Sequence, residues 1–183
     1  MSNKIKAAYV FRGFDKVTPE DLRMLTHINI AFGHCVESEM SIKHFKQSEI
    51  DTILTYKQIN PNLKLLLSVG GWGAGGFSPM AATPETRQKF ADSGIEIMNR
   101  LNLDGIDIDW EYPCIGSAGI EYSPDDKQNF TYMLDCVRNT LEQKFKSPMV
   151  TIAVGSGQYF IDSTEMDKVS PLLDYVSLMT YDS

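Results

Sequence analysis

Asp104-Gly105-Ile106-Asp107-Ile108-Asp109-Trp110-Glu111-Tyr112-Pro113 decides how the rest of the chain is read. On the two-residue period of a strand, Asp107, Asp109 and Glu111 share one face, while Ile106, Ile108 and Trp110 share the other. The bland alternative is an edge strand that turns its acids to water. Same-face residues have Cα atoms roughly 6.6 Å apart, and bending side chains bring carboxylates to about 4 Å. Two full charges at that distance repel by roughly 4 kcal/mol at an effective dielectric of 20, or about three pKa units. Such a row keeps at least one proton near neutrality, and a retained proton suits donation to a leaving group. A divalent metal is the other way to neutralise three acids, but the loop pattern of a calcium site is missing and no metal is expected.

Around this stretch, strand and helix alternate. Apolar runs predict strands at 5–11, 27–32, 63–69, 149–154 and 175–181, with the acid-bearing strand fourth. Helix starts are written as Thr18-Pro19-Glu20-Asp21, Thr83-Pro84-Glu85 and Ser123-Pro124-Asp125-Asp126: a capping residue, proline, then acids. A helix over 47–59 stops at Asn60-Pro61-Asn62, and a short one over 162–172 is expected to use Asp162 and Glu165 as a capping pair. Strands this apolar have no wet face, which argues for a parallel sheet wrapped by helices. The first strand is followed by Arg12-Gly13-Phe14-Asp15, without the glycine fingerprint of a dinucleotide fold. Glycines follow the third strand instead, in Gly70-Gly71-Trp72-Gly73-Ala74-Gly75-Gly76; no Lys-Ser or Lys-Thr closes that run, so it reads as a flexible loop rather than a phosphate cradle. A (β/α) barrel explains more, since the acids then point inward at the carboxyl end of the fourth strand.

The 183 residues suffice for one domain, and the net charge of −7 argues against nucleic acid or an anionic membrane as partner. Cys35, Cys114 and Cys136 lack the spacing of a disulfide framework or zinc site. No apolar stretch is long enough to span a membrane. The N-terminus lacks the apolar core of a signal peptide, so the chain as written is expected in the cytoplasm.

Ser68-Val69-Gly70-Gly71-Trp72, the stretch from Asp104 to Pro113, and Met179-Thr180-Tyr181-Asp182 together resemble three signatures of the family 18 glycoside hydrolases, the chitinases and their relatives. Segments 76–90 and 129–131 resemble the same family. The resemblance implies an incomplete (β/α)8 TIM-type barrel of about six β/α units, with residues 1–183 forming the N-terminal part of one catalytic domain. It implies hydrolysis of β-1,4 N-acetylglucosaminide bonds in chitin or its oligosaccharides, with no cofactor. Family 18 departs from the two-carboxylate scheme, because the substrate's own N-acetyl carbonyl replaces a protein nucleophile. By resemblance Glu111 is the general acid, Asp109 orients the acetamido N–H, Asp107 shares its proton, and the Tyr181 hydroxyl meets the acetamido oxygen. Asp182 matches a neighbouring substrate-binding acid, and Gly71 and Tyr112 are grouped with it as substrate-binding positions. Trp72 and Phe11 either line the sugar site or pack in the core. Asp104 lies off the inward face and is expected to be structural.

Family members are often secreted, which stands against a cytoplasmic location. The family's barrel has eight strands in typically about 250 residues, so its last two strands are expected to be missing here, together with the tryptophan beneath the reacting sugar. Activity is then expected to be impaired, and the first and sixth strands to be open edges prone to self-association. An endo-β-N-acetylglucosaminidase of glycoprotein glycans and a non-hydrolytic, lectin-like chitin binder are the alternatives. Lectin-like members commonly lose the acid at Glu111, which this chain keeps.

Overall fold

The computed structural model describes residues 4–181. Six parallel strands form one sheet in the order β1 (Ala7–Phe11), β2 (His27–Val36), β4 (Lys64–Gly70), β5 (Gly105–Asp109), β6 (Met149–Gly155) and β7 (Tyr175–Met179). A short β3 (Glu39–Ser41) returns antiparallel against the end of β2. The main connections carry helices, as parallel crossovers require. α1 spans Pro19–Met24, α2 Gln47–Ile59, α3 Phe77–Ala81, α4 Pro84–Leu101 and α5 Asp126–Glu142, and α6 (Gln158–Asp162) and α7 (Met166–Val169) precede β7.

The sheet is curled into part of a barrel. The Tyr9 hydroxyl of β1 reaches across the concave side to Asp107 of β5 at 2.9 Å, although β2 and β4 lie between those strands. At the amino ends, the rings of His27 on β2 and Tyr175 on β7 meet edge to face at 5.5 Å. The convex side carries the core: Ile106, Ile108 and Trp110 are buried, and Trp110 stacks on Phe77 of α3 at 5.4 Å and meets Phe130 of α5 at 5.9 Å. The alternation along 104–113 is thus realised, with the apolar face under the helical shell and the acids inside the curl.

Local signals explain the element bounds. Thr18 and Thr83 each accept the backbone N–H three residues on, closing capping boxes that start α1 and α4. α5 begins at Asp126, later than the proline spacing predicts, because Asp126 accepts the Ser123 N–H at 2.8 Å and the Ser123 hydroxyl accepts the Asp125 N–H, holding 123–125 in a turn. The single helix expected over 162–172 is two short helices and a 3-10 turn, and Asp162 ends α6 instead of capping a helix. Thr164 donates to the Phe160 carbonyl at 2.7 Å, and Glu165 accepts from Thr131 of α5 at 2.9 Å, so this polar run ties helices together. Asp104 accepts the Leu65 N–H at 2.9 Å and pairs with Lys57 at 2.7 Å, the structural role expected of it.

Candidate active site

Asp107 lies at the centre of the concave face with no exposed surface. Its lateral register partners are Ser68 on β4 and Thr151 on β6, and both hydroxyls donate to it, at 2.7 and 2.5 Å. Tyr9 supplies a third hydrogen bond. Burial pushes the Asp107 carboxyl above its ordinary value, and the hydrogen bonds from Thr151, Ser68 and Tyr9 pull the other way without reversing it.

One inward position further along, Asp109 is 4% exposed. Burial first, then the charges of Glu111 and Asp107, then a hydrogen bond with Glu111, push its carboxyl from 3.8 to about 8. Its Oδ1 is buried without a hydrogen-bond partner among the described residues. Glu111, just beyond the last residue of β5, is 9% exposed. The row therefore holds a proton at neutral pH beside an acid at the mouth of the curl, which equips it for proton transfer at a bound oxygen.

The end of β4 is pressed against this row. Gly70 has φ +123, and a Cβ there would lie 2.0 Å from the Asp109 carbonyl oxygen, so only glycine allows the approach. The next N–H, from Gly71, donates to that carbonyl at 2.9 Å. A cleft of about 1310 Å³ opens beyond Gly70 and Gly71 over the ends of β1, β2 and β4, beside the acids, which form no part of its lining. Phe11 and Trp72 line it and are 60% and 67% exposed, so neither is a core residue. Tyr112 is half-buried, edge to face with Trp72 at 6.5 Å and with Tyr159 at 5.0 Å, and burial raises its hydroxyl well above the ordinary range.

The geometry thus gathers Asp107, Asp109 and Glu111, with Gly71, Trp72 and Tyr112 around them. Tyr181 is 65% exposed, two residues beyond β7, and Asp182 lies outside the described residues. Sequence reasoning missed Tyr9, Ser68 and Thr151 as the donors to Asp107. Their signal was positional: Ser68 and Thr151 are the lateral partners of Asp107 on the adjacent strands, and Tyr9 reaches it from β1 across the curl, so the first two are visible once the register is known and the third only once the curl is. Among the described residues, no group of three or more His, Cys, Asp or Glu side chains is placed to hold a metal ion.

Comparison with known proteins agrees with this architecture. Residues 5–183 match the model of the glycosyl hydrolases family 18. The chain is 40% identical to chitinase A1 of Niallia circulans over 139 residues, 73% of this chain and 20% of that protein. It is 33% identical to chitotriosidase-1 of Mus musculus over 172 residues, 88% of this chain and 36% of that protein. Among solved structures, a family 18 N-acetylglucosaminidase from Paenibacillus barengoltzii superposes with a TM-score of 0.94 at 47% identity, covering 98% of this chain and 54% of that one. The chain therefore spans about half or less of each of these relatives. Carrying the family's match along nearly its whole length, on a curled parallel sheet with helices that forms an incomplete barrel, the chain belongs to the glycosyl hydrolases of family 18.

Proposed function

We propose that residues 5–183 form the N-terminal part of a catalytic domain that hydrolyses β-1,4 N-acetylglucosaminide bonds in chitin or chitooligosaccharides with retention of configuration. The observation that carries this reading is the row of Asp107, Asp109 and Glu111 buried inside the curl, where burial and the neighbouring acids push the Asp109 carboxyl up to about 8. Glu111 enters the step carrying a proton of its own, separate from the one on Asp109, and delivers it to the glycosidic oxygen as the bond from that oxygen to the anomeric carbon breaks. The acetamido carbonyl of the same sugar forms a bond to that carbon and gives a cyclic oxazolinium. Asp109, whose Oδ1 has no hydrogen-bond partner among the described residues, accepts the acetamido N–H and balances the positive charge. Asp107, anchored by Tyr9, Ser68 and Thr151, shares the proton released from Asp109 as that charge develops. Water then adds to the anomeric carbon, Glu111 takes its proton, the bond from the acetamido oxygen to that carbon breaks to restore the acetamido group, and the proton shared with Asp107 returns to Asp109.

By their match to the family's motif, the Tyr181 hydroxyl meets the acetamido oxygen and Asp182 is a substrate-binding acid. Trp72 and Phe11 offer exposed ring faces to the sugars, Gly71 lines the cleft, and Tyr112 backs the Trp72 ring edge to face. The substrate is a neutral polysaccharide, which suits an acidic chain better than a polyanion would.

The test is Glu111→Gln against the parent chain on a chromogenic N-acetylchitooligosaccharide, with calorimetry alongside. The variant is expected to lose turnover by about 10²–10⁴-fold while binding the oligosaccharide as tightly as the parent. Equal turnover by the variant refutes the assignment. Binding without product in the parent supports a lectin-like protein instead, and turnover of a high-mannose glycopeptide in preference to chitin oligomers supports the endo-β-N-acetylglucosaminidase.

A further inference from the structure

Trp72 stands in a glycine-rich loop, residues 71–76, that is tied at both ends. At its start, the Gly71 N–H is held by the Asp109 carbonyl at 2.9 Å, next to the acid row. At its end, the Gly76 N–H donates to Glu121 Oε2 at 3.0 Å. Glu121 lies between β5 and α5, 45 residues further along the chain. The carboxylate approaches the loop closely: a methyl group at Gly75 would sit 2.7 Å from Glu121 Oε2. The Gly76 N–H also holds the Glu121 carboxyl below its ordinary range, so it is charged and accepting at neutral pH. From the same segment, Ala118 comes within 3.6 Å of where a Gly73 Cβ would be. Trp72 itself packs little, being 67% exposed with its ring edge-on to Tyr112 at 6.5 Å. Its placement is therefore set by the backbone that carries it, and a run of glycines has much conformational freedom to lose.

We propose that Glu121 is a positioning residue for sugar binding: by accepting the Gly76 N–H, it clamps the 71–76 loop and holds the Trp72 ring at the cleft. The clamp orders the loop before the sugar arrives, so that binding an N-acetylglucosaminyl chain costs less entropy. It acts on affinity and not on bond breaking, because the Glu121 hydrogen bond is to the loop and Glu121 lies on the cleft lining, of which Asp107, Asp109 and Glu111 form no part. This role rests on the reading of Trp72 as a sugar-stacking residue.

The chain offers a direct probe, because its two tryptophans are Trp72 and Trp110 and the second is 1% exposed. Acrylamide quenching and anisotropy of tryptophan fluorescence then report chiefly on Trp72. Three variants are compared with the parent: Glu121→Ala removes the acceptor, Glu121→Gln keeps an oxygen to accept the N–H, and Gly75→Ala displaces the carboxylate without changing it. In Glu121→Ala and Gly75→Ala, Trp72 is expected to become more mobile and more readily quenched. Affinity for N-acetylchitotriose is expected to fall about fivefold, the worth of one ordinary hydrogen bond, with KM rising and kcat nearly constant. Glu121→Gln is expected to resemble the parent. Unchanged Trp72 fluorescence in both the Glu121→Ala and Gly75→Ala chains overturns the clamp. Mobile Trp72 in those variants, with oligosaccharide affinity equal to the parent's, overturns its role in sugar binding. If the parent binds no N-acetylchitotriose while the fluorescence changes persist, the sugar-site reading falls and the clamp remains as a feature of the loop alone.

Discussion

Asp109 is an aspartate whose carboxyl the fold pushes up to about 8, by burial first and by the neighbouring acids second. Its alternation with Asp107 and Glu111 is legible in ten residues of sequence, and so is the crowding that forces one proton to stay. What the sequence hides is the cause that weighs most, burial, since whether the acid face meets water or the inside of a curl depends on strands up to a hundred residues away. The donors to Asp107 are hidden for the same reason, because Tyr9, Ser68 and Thr151 sit on three different strands. A pH dependence follows. A carboxyl raised from 3.8 to about 8 favours the folded state fully below pH 3.8, and that contribution is lost as pH rises through about 8. Urea denaturation is expected to show stability falling across this window in the parent, and a flatter profile in Asp109→Asn, which keeps the shape without titrating. Identical pH profiles for the two chains contradict the shift.

Elements with strong local chemistry are legible, and those shaped by turns without their usual residues are not. Thr18 and Thr83 announce α1 and α4, because a hydroxyl, proline and acids in that order satisfy the first free N–H groups of a helix. Thr83→Ala is expected to cost about 1 kcal/mol, lowering the thermal midpoint by about 2–4 °C in a scanning calorimeter. By contrast, β2 runs on to Val36 and turns back into β3 through Glu37 and Ser38, which have φ of 50° and 63°. Such left-handed pairs are normally Asn-Gly or Asp-Gly, so nothing in Glu37-Ser38 signals the hairpin. Asp126 was legible as an acid at a helix start. Its larger part was not: fully buried, it accepts from Ser78, Cys114 and Ser123 and joins the segments after β4 and β5.

At the scale of the whole molecule, alternation of strand and helix correctly implied a parallel sheet of six strands, and the curl makes that sheet an incomplete barrel. Its lateral strands are β1 and β7, and apolar side chains there are open to solvent: Phe11 is 60% exposed, Val176 39% and Leu178 57%. Edges with so little charge pair readily with other strands. Sedimentation velocity over the micromolar to millimolar range is expected to show this chain associating as concentration rises, whereas a monomer throughout contradicts open edges. At this scale the curled sheet has one chemical consequence above the rest, a proton retained on the acid row. Carbon-13 NMR of the aspartate carboxyls, with Asp109 assigned through Asp109→Asn, measures this directly. The folded chain is expected to show the Asp109 carboxyl titrating at about 8 and returning to the ordinary 3.8 in urea. An Asp109 midpoint at the ordinary value in the folded chain would contradict the account.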